Sequence, residues 1–175
     1  MRLINKLLTL LLSSIYLYSI STSQLQASDK YSQLKPANDL DQLRHETKLK
    51  KLPLLLFFTT EDCPFCERVK SDYILPMLIS GEYTDRVVIR EMPMNSWNYF
   101  QTAKYKKIPA IQLRSHFKVP FFPVLLFTNY NYCELSERII GFNTPSLYGG
   151  RIDSAIDESL KKVQTMQSNK FCGIK

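Results

Sequence analysis

The run Leu54-Leu55-Leu56-Phe57-Phe58 sets the strongest limit on what this chain can fold into. Five consecutive apolar residues leave no polar face, so a strand built from them must be covered on both sides. The flanking segments supply the covers. Upstream, Leu40, Leu43 and Leu49 sit among charges from Asn38 to Leu49, the pattern of an amphipathic helix that Asn38 or Asp39 can cap. Downstream, Phe65, Val69 and Tyr73 recur at intervals of four from Pro64, and Pro64 stands where a missing N–H costs a helix nothing. Pro76 is expected to kink or divide that helix, with a further turn over Met77–Ile79 and a stop at Gly81.

The rest of the chain continues the alternation. Arg86–Met92 is rich in β-branched residues and predicts a second strand, and Val124–Phe127 a third. A polar turn over Thr128–Tyr132 then leads into Glu134–Ile140, expected to pair back as an antiparallel partner that Gly141 closes. Pro109 is expected to start a short helix reaching His116, with Leu113 and Phe117 inward and His116 on or near the surface. The last helix is expected to start at Ser146 or Leu147, with Ile152, Ile156, Leu160 and Val163 on one apolar face. Residues Asn95–Lys107 have no clean period, and Trp97, Tyr99, Phe100 and Tyr105 are read as packing of an irregular insert rather than as a substrate-binding rim. Strands alternating with helices imply an α/β fold: a central mixed sheet with helices on both faces, ending in a strand hairpin and a helix. At 175 residues and 45% hydrophobic content, one domain is expected.

The N-terminus reads as an export signal. Arg2 and Lys6 precede an uncharged apolar run from Leu7 to Ile20, too short to span a bilayer comfortably, and Ala27 offers the small residue before a cut. An uncleaved anchor is the alternative. The expected organisation is a signal peptide over 1–27, an extension over 28–37, a folded domain over 38–168 and a tail over 169–175, with a periplasmic location. Removing 1–27 lowers the net charge from +7 to +5. The surplus lies in short clusters far apart, such as Lys48, Lys50 and Lys51 or Lys104, Lys106 and Lys107, the pattern of a solvated surface rather than a nucleic-acid site. Four cysteines in an exported chain are expected to pair.

Cys63 and Cys66 follow the buried strand directly and fall at the first turn of the next helix. Unpaired N–H groups and the positive end of the helix dipole favour a thiolate at Cys63, below the free thiol value of about 8.5. Cys63 is therefore the expected nucleophile and Cys66 the buried thiol that resolves a mixed disulfide. Zinc uses the same spacing but needs four ligands, and neither a second C-x-x-C nor a nearby histidine exists in the sequence. The spacing also admits a structural staple, or a Cu(I) site held by the two soft thiolates.

The segment Phe57 to Cys66, followed some fifty residues later by Val119-Pro120-Phe121-Phe122-Pro123-Val124, resembles the thioredoxin family. The resemblance covers roughly residues 38–165. It implies a thioredoxin fold in which Pro123 is a cis-proline beside the cysteine pair and Phe122 pairs its backbone with a substrate strand. Pro120 is the rival, but sits too early for the strand that follows. Pro64 and Phe65, between the cysteines, join the implied substrate surface, and Phe121 and Phe122 form an apolar docking face. Gly141-Phe142 and Tyr148-Gly149 resemble an exported bacterial subgroup. The resemblance further implies that the hairpin turn and the end of the last helix meet at the far end of the sheet, hence a structural Cys133–Cys172 disulfide. Implied partners are protein thiols or disulfides and a membrane-bound redox partner, with no cofactor and no metal. Two departures stand out. Thioredoxins proper have a tryptophan directly before the first cysteine and a buried aspartate six residues before it, where this chain has Asp62 and Phe57. Glu61 and Asp62 are the acids left near the pair to move the Cys66 proton.

Overall fold

The computed structural model describes residues 34–165 and 171–173. The expected signal peptide, its cut after Ala27 and most of the 28–37 extension lie outside the described residues. Among the described residues no helix is long and apolar enough to cross a membrane.

The elements run α1 (Leu40–Lys50), β1 (Leu54–Thr59), α2 (Pro64–Val69), a π-helical turn (Lys70–Ile74), α3 (Leu75–Ser80), β2 (Val88–Pro93), β3 (Tyr99–Phe100), β4 (Ile108–Pro109), α4 (Ala110–His116), β5 (Val124–Thr128), β6 (Ile139–Ile140) and α5 (Pro145–Thr165). Four strands form a mixed sheet in the order β2-β1-β5-β6, while β3 and β4 pair separately. The apolar run is the second strand in that order, parallel to β2 and antiparallel to β5. All six residues of β1 are buried, as a strand covered on both faces requires.

Successive side chains of a strand point to opposite faces, so the core is split into two halves. Leu54, Leu56 and Phe58 join Leu40 and Leu43 of α1 and Leu113 of α4 on one side. Leu55 and Phe57 join Cys66 and Val69 of α2 and Tyr148, Ile152 and Ile156 of α5 on the other. The outer edge of β2 is covered by residues 35–37: the Ala37 N–H donates to the Glu91 carbonyl (2.8 Å) and the Glu91 N–H to the Lys35 carbonyl (2.9 Å). A covered edge is closed to pairing with another chain.

Several expected elements are redrawn. Asp39 caps α1, its carboxylate accepting from the N–H groups of Asp41 and Gln42. Leu49 is 69% exposed and Thr47 takes the inward position, its hydroxyl donating to the Leu43 carbonyl at 2.8 Å. The helix is divided ahead of Pro76, as expected, but by a π turn in which the Leu75 N–H donates to the Lys70 carbonyl five residues back. Widening the turn ahead of Pro76 accommodates the ring and the missing donor.

The strand expected over Glu134–Ile140 shrinks to Ile139–Ile140, plus one bridge between Thr128 and Glu134. Between them Leu135 and Ser136 turn into the core, where the Ser159 hydroxyl donates to Ser136 Oγ at 3.0 Å. Arg138 folds onto Glu134 and donates to the Phe117 carbonyl, taking the backbone out of register. The aromatic insert is also corrected. Phe100 is buried on β3, but Trp97, Tyr99 and Tyr105 are 59%, 54% and 39% exposed.

Candidate active site

Cys63 is the N-cap of α2 and Pro64 its first residue, so the cysteine pair sits where the chain leaves the carboxyl end of β1. The Cys63 carbonyl accepts from the N–H groups of Cys66 (2.9 Å) and Glu67 (3.1 Å), and Cys63 Sγ accepts from the Cys66 N–H at 3.2 Å. Cys63 and Cys66 are joined in a disulfide, with their Cα atoms 5.2 Å apart. Their environments differ. Cys63 is partly exposed, whereas Cys66 is 1% exposed and packs with Phe57 and Val69. After reduction, only the first sulfur would be open to an incoming disulfide, and it would lie where helix N–H groups stabilise a thiolate.

The Phe122–Pro123 peptide is cis. Because Val124 pairs with Phe58 in the antiparallel β1–β5 register, Pro123 lies at the end of the sheet from which the Cys63 loop departs. The Gly141 N–H donates to the Pro123 carbonyl at 2.8 Å, tying the proline to the end of β6. Arg114, which no local sequence pattern marks, shapes the same loop. Its guanidinium donates to the carbonyls of Val119 (3.1 Å) and Pro120 (2.9 Å) and lies over the Phe122 ring at 5.0 Å. Pro120 is exposed and Pro123 buried.

An apolar rim lies on one side of the pair. Phe65 and Phe121 are 55% and 56% exposed, and the Phe65 ring lies 6.3 Å from that of Phe142. Phe142 in turn touches Tyr73 and Tyr148, with the Arg68 guanidinium over it at 5.1 Å. Gly141 has φ +72°, a backbone that favours glycine, and a Cβ there would come within 3.3 Å of the Phe121 ring.

The other side of the pair is polar. Asn95, on the loop after β2, braces the Cys63 loop by accepting from the Glu61 N–H at 2.8 Å and the Thr60 hydroxyl at 3.4 Å. An open cleft beside Cys63 is lined by Thr59, Glu67, Glu91 and Asn95, among others. Glu61 and Asp62, the acids nearest in sequence, are exposed on its rim. Glu91 lies deeper: its carboxylate accepts from the Thr59 hydroxyl at 3.0 Å and from Lys70 Nζ at 3.4 Å. Neither Asn95 nor Glu91 is signalled by sequence, because their place depends on the register of β2 against β1.

At the opposite end of the sheet Cys133 and Cys172 are joined in a second disulfide. The Cys172 N–H donates to the Asn131 carbonyl, and His116 Nε2 lies 2.7 Å from the Cys172 carbonyl oxygen. His116 thus belongs to the C-terminal anchor and lies away from Pro123.

Neither the family models nor the curated protein sequences match this chain. Among solved structures it is similar to DsbH oxidoreductase, at 19% identity and TM-score 0.52, over 73% of this chain and 88% of that one. It is also similar to a thioredoxin from Trypanosoma brucei brucei, at 15% identity and TM-score 0.50, over 73% of this chain and 94% of that one. The chain has the thioredoxin fold, and at these identities the likeness carries the fold alone.

Proposed function

We propose that the protein is an exported thiol–disulfide oxidoreductase of the periplasm, exchanging disulfides with protein thiols through Cys63 and Cys66. The observation that carries this reading is the asymmetric pair, a partly exposed Cys63 at a helix N-cap bonded to a buried Cys66. In one direction the Cys63 thiolate attacks a substrate disulfide. A mixed disulfide forms and a substrate thiolate leaves. The Cys66 thiolate then attacks Cys63 Sγ, the Cys63–Cys66 bond forms and the second substrate thiolate departs. The substrate is reduced by two electrons and the pair oxidised by two. The opposite direction is the same sequence reversed.

Substrate contact is assigned to Pro64, Phe65, Phe122 and Pro123, supported by the apolar rim on one side of the pair and by the cis peptide at the same end of the sheet. Sulfur supplies all the chemistry, so no cofactor is called for. A membrane-bound redox partner would reset the pair. Export is supported by the charged and then apolar start of the chain and by a second cysteine pair far from the first.

The test uses Cys66→Ser, which leaves the nucleophile without its resolving thiol. Mixed with insulin, the reduced variant is expected to hold a covalent adduct at Cys63 that dithiothreitol releases. No adduct, together with stoichiometric copper on the purified unmodified protein, would turn the reading toward a Cu(I) carrier.

A further inference from the structure

Resolution of the mixed disulfide has a proton problem in this chain. Cys66 must lose its proton before it attacks Cys63, yet it is buried among apolar side chains, and burial disfavours a thiolate. The position six residues before the first cysteine, on the same face of the sheet, is Phe57, which cannot take a proton.

A carboxylate lies one strand away in the same row. Phe57 pairs with Glu91 in the parallel β1–β2 register, and Val87 and Ile89, four and two residues before Glu91, pack in the cluster that holds Phe57 and Cys66. Side chains alternate along a strand, so Glu91 shares the face covered by α2. Lys70 reaches it from the helix. The Lys70 N–H donates to the Cys66 carbonyl, which puts Lys70 one turn after Cys66 on the same side of the helix. Its ammonium meets Glu91 at 3.4 Å while the Thr59 hydroxyl donates to the other carboxylate oxygen at 3.0 Å. Glu91 is only 18% exposed, and that exposure is to the cleft that also opens on Cys63.

We propose that Glu91, oriented by Thr59 and Lys70, is the proton acceptor for Cys66. As the mixed disulfide resolves, the Cys66 proton passes to the Glu91 carboxylate. The resulting thiolate bonds to Cys63 Sγ and the substrate sulfur leaves with the electron pair of the broken bond. In the reverse direction the protonated Glu91 returns the proton to Cys66 as it leaves. Other ionisable groups facing the cleft are Glu61, Asp62, Glu67 and Cys63 itself, and Lys70 meets Glu91 from the helix side. The three acids are exposed, and the helix that carries Glu67 turns it outward while Cys66 faces the sheet. The inference rests on the oxidoreductase reading and names the group that makes it work.

The reaction of the reduced full-length protein with 5,5′-dithiobis(2-nitrobenzoate) separates the steps. The first chromophore is released by attack of Cys63 and the second by resolution through Cys66. For Glu91→Gln, which preserves size and an acceptor for Thr59, the second phase at neutral pH is expected to slow about tenfold or more, the first staying unchanged. At alkaline pH the difference should vanish, because the thiol then ionises unaided. Lys70→Met removes one of the two groups that orient the Glu91 carboxylate and is expected to slow the second phase while leaving the first unchanged. Equal slowing of both phases in Glu91→Gln, or a second phase within about twofold of the parent, would overturn the role of Glu91, as would a second phase in Lys70→Met equal to the parent's. Should the parent show no second phase, the oxidoreductase reading falls and this inference with it.

Discussion

Two thiols three residues apart acquire opposite characters from one local fact, the turn from β1 into α2. Cys63 caps the helix and faces outward, while Cys66 enters the core. This much is legible in sequence, because spacing, Pro64 and the preceding apolar run are all local signals. Glu91, Asn95 and Arg114 were not legible, since each reaches the site from a distant segment. Glu61 and Asp62 were the acids that proximity suggested, and they lie at the exposed rim. A buried polar group can also go without a partner. Thr128 is fully buried, and among the described residues its hydroxyl is the buried side-chain group without a hydrogen-bond partner. An unmet hydroxyl costs about 1–3 kcal/mol, so Thr128→Val, which keeps the shape, is expected to raise stability by about 1 kcal/mol. The urea midpoint at constant slope measures it, and a lower midpoint would show that the hydroxyl is satisfied in solution.

Elements differ in how far local pattern decides them. Periodicity located the helices and the central strand because burial of one face or two faces leaves a direct mark, as in β1 and α5. It failed for Glu134–Ile140, where alternation resembles a strand but Ser136 bonds to Ser159 and Arg138 to the Phe117 carbonyl. It failed again for Trp97 and Tyr99, because a two-residue strand is too short to have a period. The tie between α1 and β2 shows how an element is fixed by charge. Burial tends to raise the Glu46 pKa, but its bonds to Lys50 and Arg90 outweigh that and hold it below the ordinary 4.5. A group whose pKa is lower when folded stabilises the protein above its unfolded value and loses that contribution as the pH falls through its folded value. Acidifying from about pH 5 to about pH 3 is therefore expected to cost the parent more stability than Glu46→Gln. Unfolding midpoints of the two proteins across that range test this, and parallel curves would remove Glu46 from the acid response.

On the scale of the molecule, the sheet separates two kinds of cysteine. Cys63 and Cys66 occupy the end where β1 finishes and β5 begins, with Cys63 at an open cleft and an apolar rim beside the pair. Cys133 and Cys172 occupy the other end, where β5 finishes, with the Cys172 backbone held by Asn131 and His116. A link spanning 39 residues removes loop entropy from the unfolded chain equivalent to about 4 kcal/mol in the chain-entropy account. The layered architecture was legible because alternating elements admit few arrangements, whereas the 35–37 segment along β2 carries no pattern that would predict its pairing.

The central claim is that the molecule holds one working disulfide and one structural one. Equilibrating the folded protein with glutathione buffers of graded potential, then alkylating free thiols and mapping the peptides, tests it directly. Cys63 and Cys66 are expected to titrate together and reversibly while Cys133 and Cys172 stay paired throughout. If Cys63–Cys66 stays oxidised until the fold is lost, or opens only together with Cys133–Cys172, the claim is contradicted.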